Sequence, residues 1–194
     1  MFTSLGKARP FLAAIVLALS TGCAVLEPAS APPRPAREAI AAFRIEGRIA
    51  VHHANENFSA GIDWRHDAQS DEMLISGPLG QGLARLSARP GAALLETSGQ
   101  QQYAAENLED LSAQVFGIRL PVSGLERWVL GHAISGDAVS IDATGRLTAL
   151  SEQGWMVEYL RYESDAPDAL PALLRAQRED IEVRLVIDNW TVSE

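Results

Sequence analysis

The residues best suited to chemistry in this chain are one cysteine, four histidines and a short glycine- and proline-rich loop around a leucine. Cys23 is the only cysteine among the 194 residues, so an intramolecular disulfide is excluded. A thiol without a partner in its own chain is a candidate for covalent modification. The residues around Cys23 indicate which modification to expect.

The residues before Cys23 predict a cleaved signal peptide at 1–22. Two basic side chains precede an apolar run at 11–19, which is too short to span the ~30 Å hydrocarbon core of a bilayer as a mature helix. The small residues directly before Cys23 resemble the lipobox of bacterial lipoproteins, although Ser20 stands where that motif favours leucine. In such lipoproteins the cysteine sulfur carries a diacylglycerol and the new amino group is acylated. A plain signal peptide followed by an unmodified cysteine is the alternative.

Acylation of Cys23 implies a membrane anchor followed by a spacer. Each buried CH₂ contributes ~0.8 kcal/mol, so three acyl chains hold a protein at a membrane almost permanently. Ala24 replaces the Asp that often retains this class in the inner membrane, and so indicates the outer membrane. The residues that follow are rich in proline, which favours an extended tether of ~3.1 Å per residue. We therefore predict a signal peptide (1–22), a lipidated tether (23–36) and one domain (37–194).

The charge of the mature chain excludes two kinds of interaction. The full chain has 16 basic and 25 acidic residues and a net charge of −9. Removal of residues 1–22 takes away Lys7 and Arg9, which leaves 14 basic residues and a net charge of −11. Nucleic acid is excluded because phosphate contacts need clustered positive charge. Electrostatic attraction to anionic lipids is excluded for the same reason, so the lipid on Cys23 must hold the protein at a membrane.

Nothing in the sequence indicates catalysis or metal binding. His52 and His53 are adjacent in a predicted strand, so their side chains point to opposite faces and do not ligate one metal together. The motifs HExxH, CxxC, the EF-hand and GxSxG are absent. Residues 80–82, Gly-Gln-Gly, begin like a phosphate-binding loop, but Arg85 occupies the place of its third glycine. We therefore expect no enzyme activity, no catalytic residue, no metal and no cofactor other than the covalent lipid on Cys23.

Period-two alternation of apolar residues predicts a β-rich domain. We predict strands at 43–51, 58–64, 72–76, 83–88, 92–97, 101–105, 138–142, 146–151, 155–162 and 181–190. Capping residues and helical spacing predict helices at 107–117 and 121–131, and a further short helix at 36–42. This order fits a strongly curved antiparallel sheet with helices packed on its concave side.

One loop places a large apolar side chain among turn-forming residues. Residues 76–81 read Ser-Gly-Pro-Leu-Gly-Gln, with Leu79 at the centre. The Leu79 side chain is either buried under the loop, where it anchors the loop to the domain, or exposed because it has a functional role. The residue pattern alone favours the anchor, because an exposed apolar group normally needs a reason.

Segments spread over nearly the whole mature domain resemble the LolB family of outer-membrane lipoprotein receptors. No segment is diagnostic alone, but their order and spacing behind a lipoprotein signal are specific. The segments are 43–51 with its Gly47-Arg48 pair, Trp64, 77–80, 103–105, 117–121, 127–131, 154–159 and 188–190.

The resemblance implies a mostly β (α+β) fold, an unclosed antiparallel β-barrel of about eleven strands with helices covering an apolar cavity. It implies an outer-membrane protein that faces the periplasm, accepts acylated lipoproteins from the soluble carrier LolA and releases them into outer-membrane lipid. The loop leucine of this family is associated with release, which makes exposure of Leu79 the better interpretation. Lipid contact is then expected for the loop formed by Gly77, Pro78, Leu79 and Gly80. We expect a monomer.

Large apolar side chains on the inner face of the sheet and on the helices are candidates for the cavity wall. For each of them, ordinary core packing is the alternative. The candidates are Ile49, Phe58, Ile62, Trp64, Leu111, Val115, Trp128, Trp155 and Val183. Three other functions stay open at this stage: a lipid-anchored carrier of another amphiphile, a ligand-free accessory subunit of an envelope assembly machine, and an anchored hydrolase.

Overall fold

The computed structural model describes residues 35–54, 56–117, 119–120, 122–133 and 137–193. Cys23, the predicted signal peptide and nearly all of the predicted tether lie outside these residues, so the boundaries at 22 and 36 stay predictions. Residues 34–194 form one compact unit. Its elements are β1 (Ala42–His53), β2 (Glu56–His66), β3 (Asp71–Ser76), β4 (Gly82–Arg89), β5 (Ala92–Thr97), β6 (Gln102–Ala105), α1 (Leu108–Phe116), α2 (Val122–Leu130), β7 (Ala138–Ile141), β8 (Leu147–Glu152), β9 (Trp155–Tyr162), β10 (Pro171–Arg178) and β11 (Ile181–Ser193).

The eleven strands form one antiparallel sheet in the order β6-β5-β4-β3-β2-β1-β11-β10-β9-β8-β7. Two meanders, β1–β6 and β7–β11, meet where β1 pairs with β11. The strands β6 and β7 form the two edges and do not pair with each other, so the sheet is not closed. Both helices lie between β6 and β7 in the chain, and α2 supplies core side chains to the inner face of the sheet. The predicted fold class, an unclosed antiparallel sheet of eleven strands with helices, is confirmed.

A β-bulge bends the sheet at the centre of the β1–β11 pair. Glu46 pairs with Asn189 and Gly47 pairs with Ile187, so Asp188 is the extra residue on β11. A bulge reverses the side-chain alternation of its strand. Ile187 is therefore buried before the bulge, and Trp190 packs against the core after it. The bulge brings the β11 backbone close to Gly47, where an added Cβ would lie 2.0 Å from the carbonyl oxygen of Val186.

Replacing Gly47 with alanine should lower the free energy of unfolding by about 2–3 kcal/mol, because overpacking at a close backbone contact forces a shift in the paired strands. Urea denaturation followed by circular dichroism measures the loss. Gly82→Ala is the matched control, since no atom lies within 4 Å of an added Cβ at that position of β4. Equal and small losses in both variants would contradict this account of the bulge.

Two predicted features differ from the structure. The sequence-based prediction of a helix at 36–42 is wrong, because residues 35–41 as the structure describes them contain a single 3₁₀ turn, Arg37–Ala39, and β1 begins at Ala42. The prediction also omitted β10, which reads Pro-Ala-Leu-Leu-Arg-Ala-Gln-Arg. Most of these residues favour a helix in isolation. Pairing with both β9 and β11 outweighs that preference, and Pro171 is tolerated because it is the first residue of the strand.

A buried carboxylate fastens α2 to β8. Glu152 is 5% exposed and accepts hydrogen bonds from Trp128 Nε1 at 2.6 Å and from the Arg127 guanidinium at 2.7 Å. Trp128 in turn packs against Trp155, with ring centroids 6.1 Å apart. Charge-assisted hydrogen bonds of this kind are among the stronger ones in proteins. They fix the helix over the half of the sheet that contains β8, β9 and β10.

Glu152→Ala should lower the free energy of unfolding by about 2–3 kcal/mol, because it leaves the Trp128 N–H buried without an acceptor and removes the closer of the two carboxylates that pair with Arg127. Chemical denaturation measures the change. Glu158→Ala is the matched control: this carboxylate pairs with Arg175 at a site where both side chains are 35% exposed, and its loss should cost less than about 1 kcal/mol. A Glu152 variant no less stable than the control would show that the buried contact adds nothing.

Candidate functional site

A cavity of about 810 Å³ lies between α1, the start of α2 and the half of the sheet formed by β1–β5. Its wall is mainly aliphatic and aromatic. The apolar wall residues are Ile49, Val51, Phe58, Met73, Ile75, Leu83, Ala84, Leu86, Leu95, Leu108, Leu111, Val115, Phe116, Leu120 and Leu125. Ligand pockets in proteins commonly measure ~300–1,000 Å³ and are mostly apolar, so this cavity has the size and lining of a binding site.

The polar wall residues lie mainly at one end. His53 ends β1, Glu56 and Asn57 begin β2, and Thr97 ends β5. Because neighbouring strands are antiparallel, these positions share one end of the sheet, which we call the hairpin end. Ser112 is the exception, and its hydroxyl is already used: it donates to the Glu109 carbonyl at 2.8 Å and accepts from the Leu120 N–H at 2.9 Å. Away from the hairpin end, the wall residues that the structure describes are therefore apolar apart from Ser112.

The cavity reaches the protein surface at the hairpin end. Phe58 and Phe116 line it and are 38% and 49% exposed, and their ring centroids are 6.4 Å apart. Apolar side chains of this size are usually covered in a soluble domain. An exposed aromatic pair on the wall of an apolar cavity is therefore typical of an entrance for an apolar ligand.

The loop between β3 and β4 also lies at the hairpin end. We call residues 77–81 the tip loop. Leu79 is 93% exposed, so the interpretation of this side chain as a tucked anchor is wrong. The Gly80 N–H donates to the Gly77 carbonyl at 2.9 Å, and Gly80 has φ +78°, a conformation that favours glycine. This tight turn exposes Leu79 at the same end of the sheet as the cavity entrance.

Four of the nine predicted cavity residues line the cavity: Ile49, Phe58, Leu111 and Val115. The other five are buried in the packed core beside it. They are Ile62, Trp64, Trp128, Trp155 and Val183. Two tryptophans of this core have fixed polar partners, since Trp64 Nε1 donates to Asp71 at 2.8 Å and Trp128 donates to Glu152. Contact between an acyl chain and any of the nine stays a prediction.

The sequence prediction missed the wall residues on β3, β4 and β5. Met73, Ile75, Leu86 and Leu95 all lie on the cavity side of these strands. Period-two alternation within the predicted strands was the signal that could have found them. That signal identifies the inner face but not which part of it stays unfilled.

The ionisable groups with shifted pKa values lie away from the cavity. A hydrogen bond with Asp71 at 2.9 Å raises the pKa of His66, and burial raises the pKa of Glu126. Both side chains line a smaller cleft of about 300 Å³ at the other end of the strands. Burial lowers the pKa of His132, which follows α2. None of these groups faces the interior of the 810 Å³ cavity, so they supply no acid–base chemistry there.

Two further observations on the described residues concern metal binding and membrane spanning. No group of three or more His, Cys, Asp or Glu side chains in this part of the chain is arranged to hold a metal ion. Within the same residues, neither helix has the length and hydropathy needed to cross a membrane.

The chain matches known proteins over almost its full length. The family profile described as "Outer membrane lipoprotein LolB" matches residues 41–190. An outer-membrane lipoprotein LolB from Azoarcus sp. (strain BH72) is 41% identical over 187 residues, which cover 94% of this chain and 96% of the relative. A protein of the same name from Pseudomonas paraeruginosa is 36% identical and covers 95% of this chain and 96% of its own length.

Solved structures share the fold at low sequence identity. A DUF1329 family protein from Desulfovibrio piger has a TM-score of 0.52 at 6% identity, over 81% of this chain and 88% of that protein. A domain from Vibrio parahaemolyticus, named for outer membrane lipoprotein sorting, has a TM-score of 0.52 at 7% identity, over 78% of this chain and 85% of that domain. These similarities concern the fold alone. The family profile and the full-length relatives, together with the eleven-stranded open sheet, show that this chain belongs to the outer membrane lipoprotein LolB family.

Proposed function

We propose that this protein is an outer-membrane lipoprotein receptor that takes acylated lipoproteins from the soluble periplasmic carrier LolA, holds their acyl chains briefly and releases them into the outer membrane. Family membership supports the role in lipoprotein localisation and the outer-membrane site. The lipid on Cys23, the partner LolA and the monomeric state are parts of the proposal. The absence of catalysis is a further part of the proposal, supported by the mainly apolar wall of the cavity.

The position of the apolar cavity carries the proposal. Its entrance, with Phe58 and Phe116, lies at the same end of the sheet as the exposed Leu79. A receptor that passes hydrocarbon to a bilayer needs both features at one end, because each CH₂ left in water costs ~0.8 kcal/mol. A short path between cavity and membrane keeps that cost low.

Differences in affinity are sufficient to drive the transfer. A difference of ~1.4 kcal/mol in binding free energy between two sites gives a tenfold bias toward the tighter one. Acyl chains therefore move from the carrier to this cavity and on to the bilayer if the affinity for them increases in that order. Binding that is too tight would trap the cargo. A cavity that is incompletely filled and has a mainly apolar wall suits a receptor that has to release what it binds.

The exposed leucine and the predicted lipid have separate tasks in this mechanism. Burial of one leucine side chain contributes ~1.5–3 kcal/mol, which is too little to hold a protein at a membrane. It is sufficient to bring the cavity entrance against the bilayer for short periods. The acyl groups on Cys23 supply the lasting attachment.

Transfer of an acylated lipoprotein from LolA to the anchor-free protein (residues 24–194) tests the proposal directly. We expect cargo to move from the carrier to the receptor and then into added vesicles without ATP. Native mass spectrometry separates the alternatives: bound fatty chains indicate a carrier, a co-purified protein without lipid indicates an accessory subunit, and turnover of an ester substrate indicates a hydrolase. Failure to accept cargo from LolA would refute the proposal.

A further inference from the structure

The backbone of the tip loop is hydrogen-bonded internally from residue 77 to residue 80. The Gly77 N–H donates to the Gln81 carbonyl at 2.9 Å, and the Gly80 N–H donates to the Gly77 carbonyl at 2.9 Å. Pro78 has no N–H. The Leu79 N–H donates to the side-chain Oε1 of Gln81 at 3.1 Å. Every backbone N–H donor of residues 77–80 therefore has a partner inside the loop.

The side chain of Gln81 has space for this contact because residue 77 is a glycine. A Cβ added at Gly77 would lie 2.3 Å from Nε2 and 2.7 Å from Cδ of Gln81. The amide of Gln81 is thus folded over the Gly77 backbone and turned toward Leu79. A glutamine that points away into water is the ordinary arrangement in an exposed loop, since water satisfies both its own amide and the backbone.

Internal pairing matters when a loop leaves water. A backbone N–H in hydrocarbon has no water to bond with, and each unpaired group is costly there. In water, a solvent molecule can accept the hydrogen bond of the Leu79 N–H in place of Gln81. The arrangement therefore adds little to a loop that stays in solvent and much to one that enters a membrane.

We propose that Gln81 is a positioning residue for membrane entry: its side-chain oxygen accepts a hydrogen bond from the Leu79 N–H, so that residues 77–80 enter lipid hydrocarbon with no unpaired backbone donor. This inference rests on the proposed function, in which Leu79 contacts the bilayer. The inference adds that a polar side chain at residue 81 strengthens membrane contact. Hydrophobicity alone predicts that a polar side chain at this position weakens membrane contact.

The test measures the partitioning of the anchor-free protein onto vesicles of phosphatidylethanolamine and phosphatidylglycerol by co-sedimentation. Gln81→Met keeps the side-chain length, removes the acceptor and adds apolar surface. We expect it to bind vesicles about tenfold more weakly than wild type and to deliver cargo correspondingly less, as an unpaired N–H requires. Cargo acceptance and the melting temperature should stay unchanged, which a merely structural role of Gln81 would not allow.

Two further variants sharpen the test. Gly77→Ala displaces the Gln81 amide through its flexible end, so it should weaken vesicle binding to a similar extent. Gln102→Met is the control, because this exposed glutamine at the start of β6 bonds to the Glu96 side chain at 2.8 Å and not to a backbone N–H. We expect its vesicle binding to stay within about twofold of wild type.

The outcomes separate this inference from the function on which it rests. Weak vesicle binding by Gln81→Met and Gly77→Ala, with cargo acceptance intact, supports the inference. Binding of Gln81→Met as strong as wild type or stronger overturns it, and the proposed function still stands if Leu79→Glu abolishes binding in the same assay. If Leu79→Glu also binds like wild type, the membrane role of the whole loop is refuted.

Discussion

Replacing Leu79 with glutamate should lower delivery of lipoproteins into vesicles by at least about tenfold and leave acceptance from LolA within about twofold of wild type. The leucine side chain is 93% exposed, so its removal takes no contact from the core. The substitution deletes ~1.5–3 kcal/mol of favourable transfer into lipid and adds a charge that resists it. The cavity wall is unchanged, so acyl chains still enter. Two assays measure the steps separately: carrier-to-receptor transfer without vesicles, and receptor-to-vesicle transfer with preloaded protein.

The matched control for this substitution is Leu74→Glu. Leu74 lies on β3, the strand that leads into the tip loop, and its side chain is 41% exposed. The charge and size change are the same, but the residue faces outward from the sheet and away from the cavity. We expect both assays to give wild-type values for this variant. Equal loss of acceptance and delivery in Leu79→Glu would show that Leu79 supports the structure and not the release step.

The local pattern of the sequence was sufficient to predict most of the sheet. Strands whose inner face alternates cleanly, such as β1 and β9, appear where the sequence placed them. The omitted strand β10 shows where local reasoning fails. Its residues Leu173, Leu174, Arg175 and Ala176 are good helix formers, and only hydrogen bonds to strands on both sides make the extended conformation stable.

The position of the cavity was not predictable from alternation, because it depends on how much volume each helix fills. The α2 side of the inner face receives Trp128, Val129 and Leu130, all buried. The α1 side receives Leu111 and smaller or partly exposed side chains, which leaves the 810 Å³ unfilled. A strand pattern looks the same over a packed core and over a cavity. For this reason Trp64, Trp128 and Trp155 were predicted as cavity candidates although they lie in the packed core.

The exposure of Leu79 illustrates a different limit. Turn-forming residues around a leucine fit both a buried anchor and a projecting side chain, and the residue pattern alone favoured the anchor. The resemblance to the LolB family favoured exposure, and the structure agrees. The contact that a sequence pattern does not reveal is the one between Gln81 and the Leu79 N–H, because it needs a side chain to fold back over two residues.

A substitution that fills the cavity should impair cargo acceptance, whereas a substitution in the tip loop should impair delivery. Ala84 lies on β4 with its side chain toward the cavity, between Ile75 on β3 and Thr97 on β5. We expect Ala84→Trp to lower cargo acceptance by at least about tenfold, because the indole occupies space that acyl chains need. The free energy of unfolding should stay the same or rise by up to about 1–2 kcal/mol, as cavity-filling substitutions commonly do. Carrier-to-receptor transfer and urea denaturation measure the two quantities.

Ala104→Trp is the control for added bulk, since Ala104 is exposed on the edge strand β6 and its side chain points away from the cavity. It should accept cargo like wild type. The two variants together test whether acceptance and delivery use different parts of the molecule. We expect Leu79→Glu protein to accept cargo and fail to deliver it. We expect Ala84→Trp protein to keep an unchanged tip loop and fail to accept cargo. A folded Ala84→Trp protein that accepts cargo at the wild-type rate would place the acyl-binding site outside this cavity. Vesicle binding by Ala84→Trp should be unaffected, since its tip loop is intact.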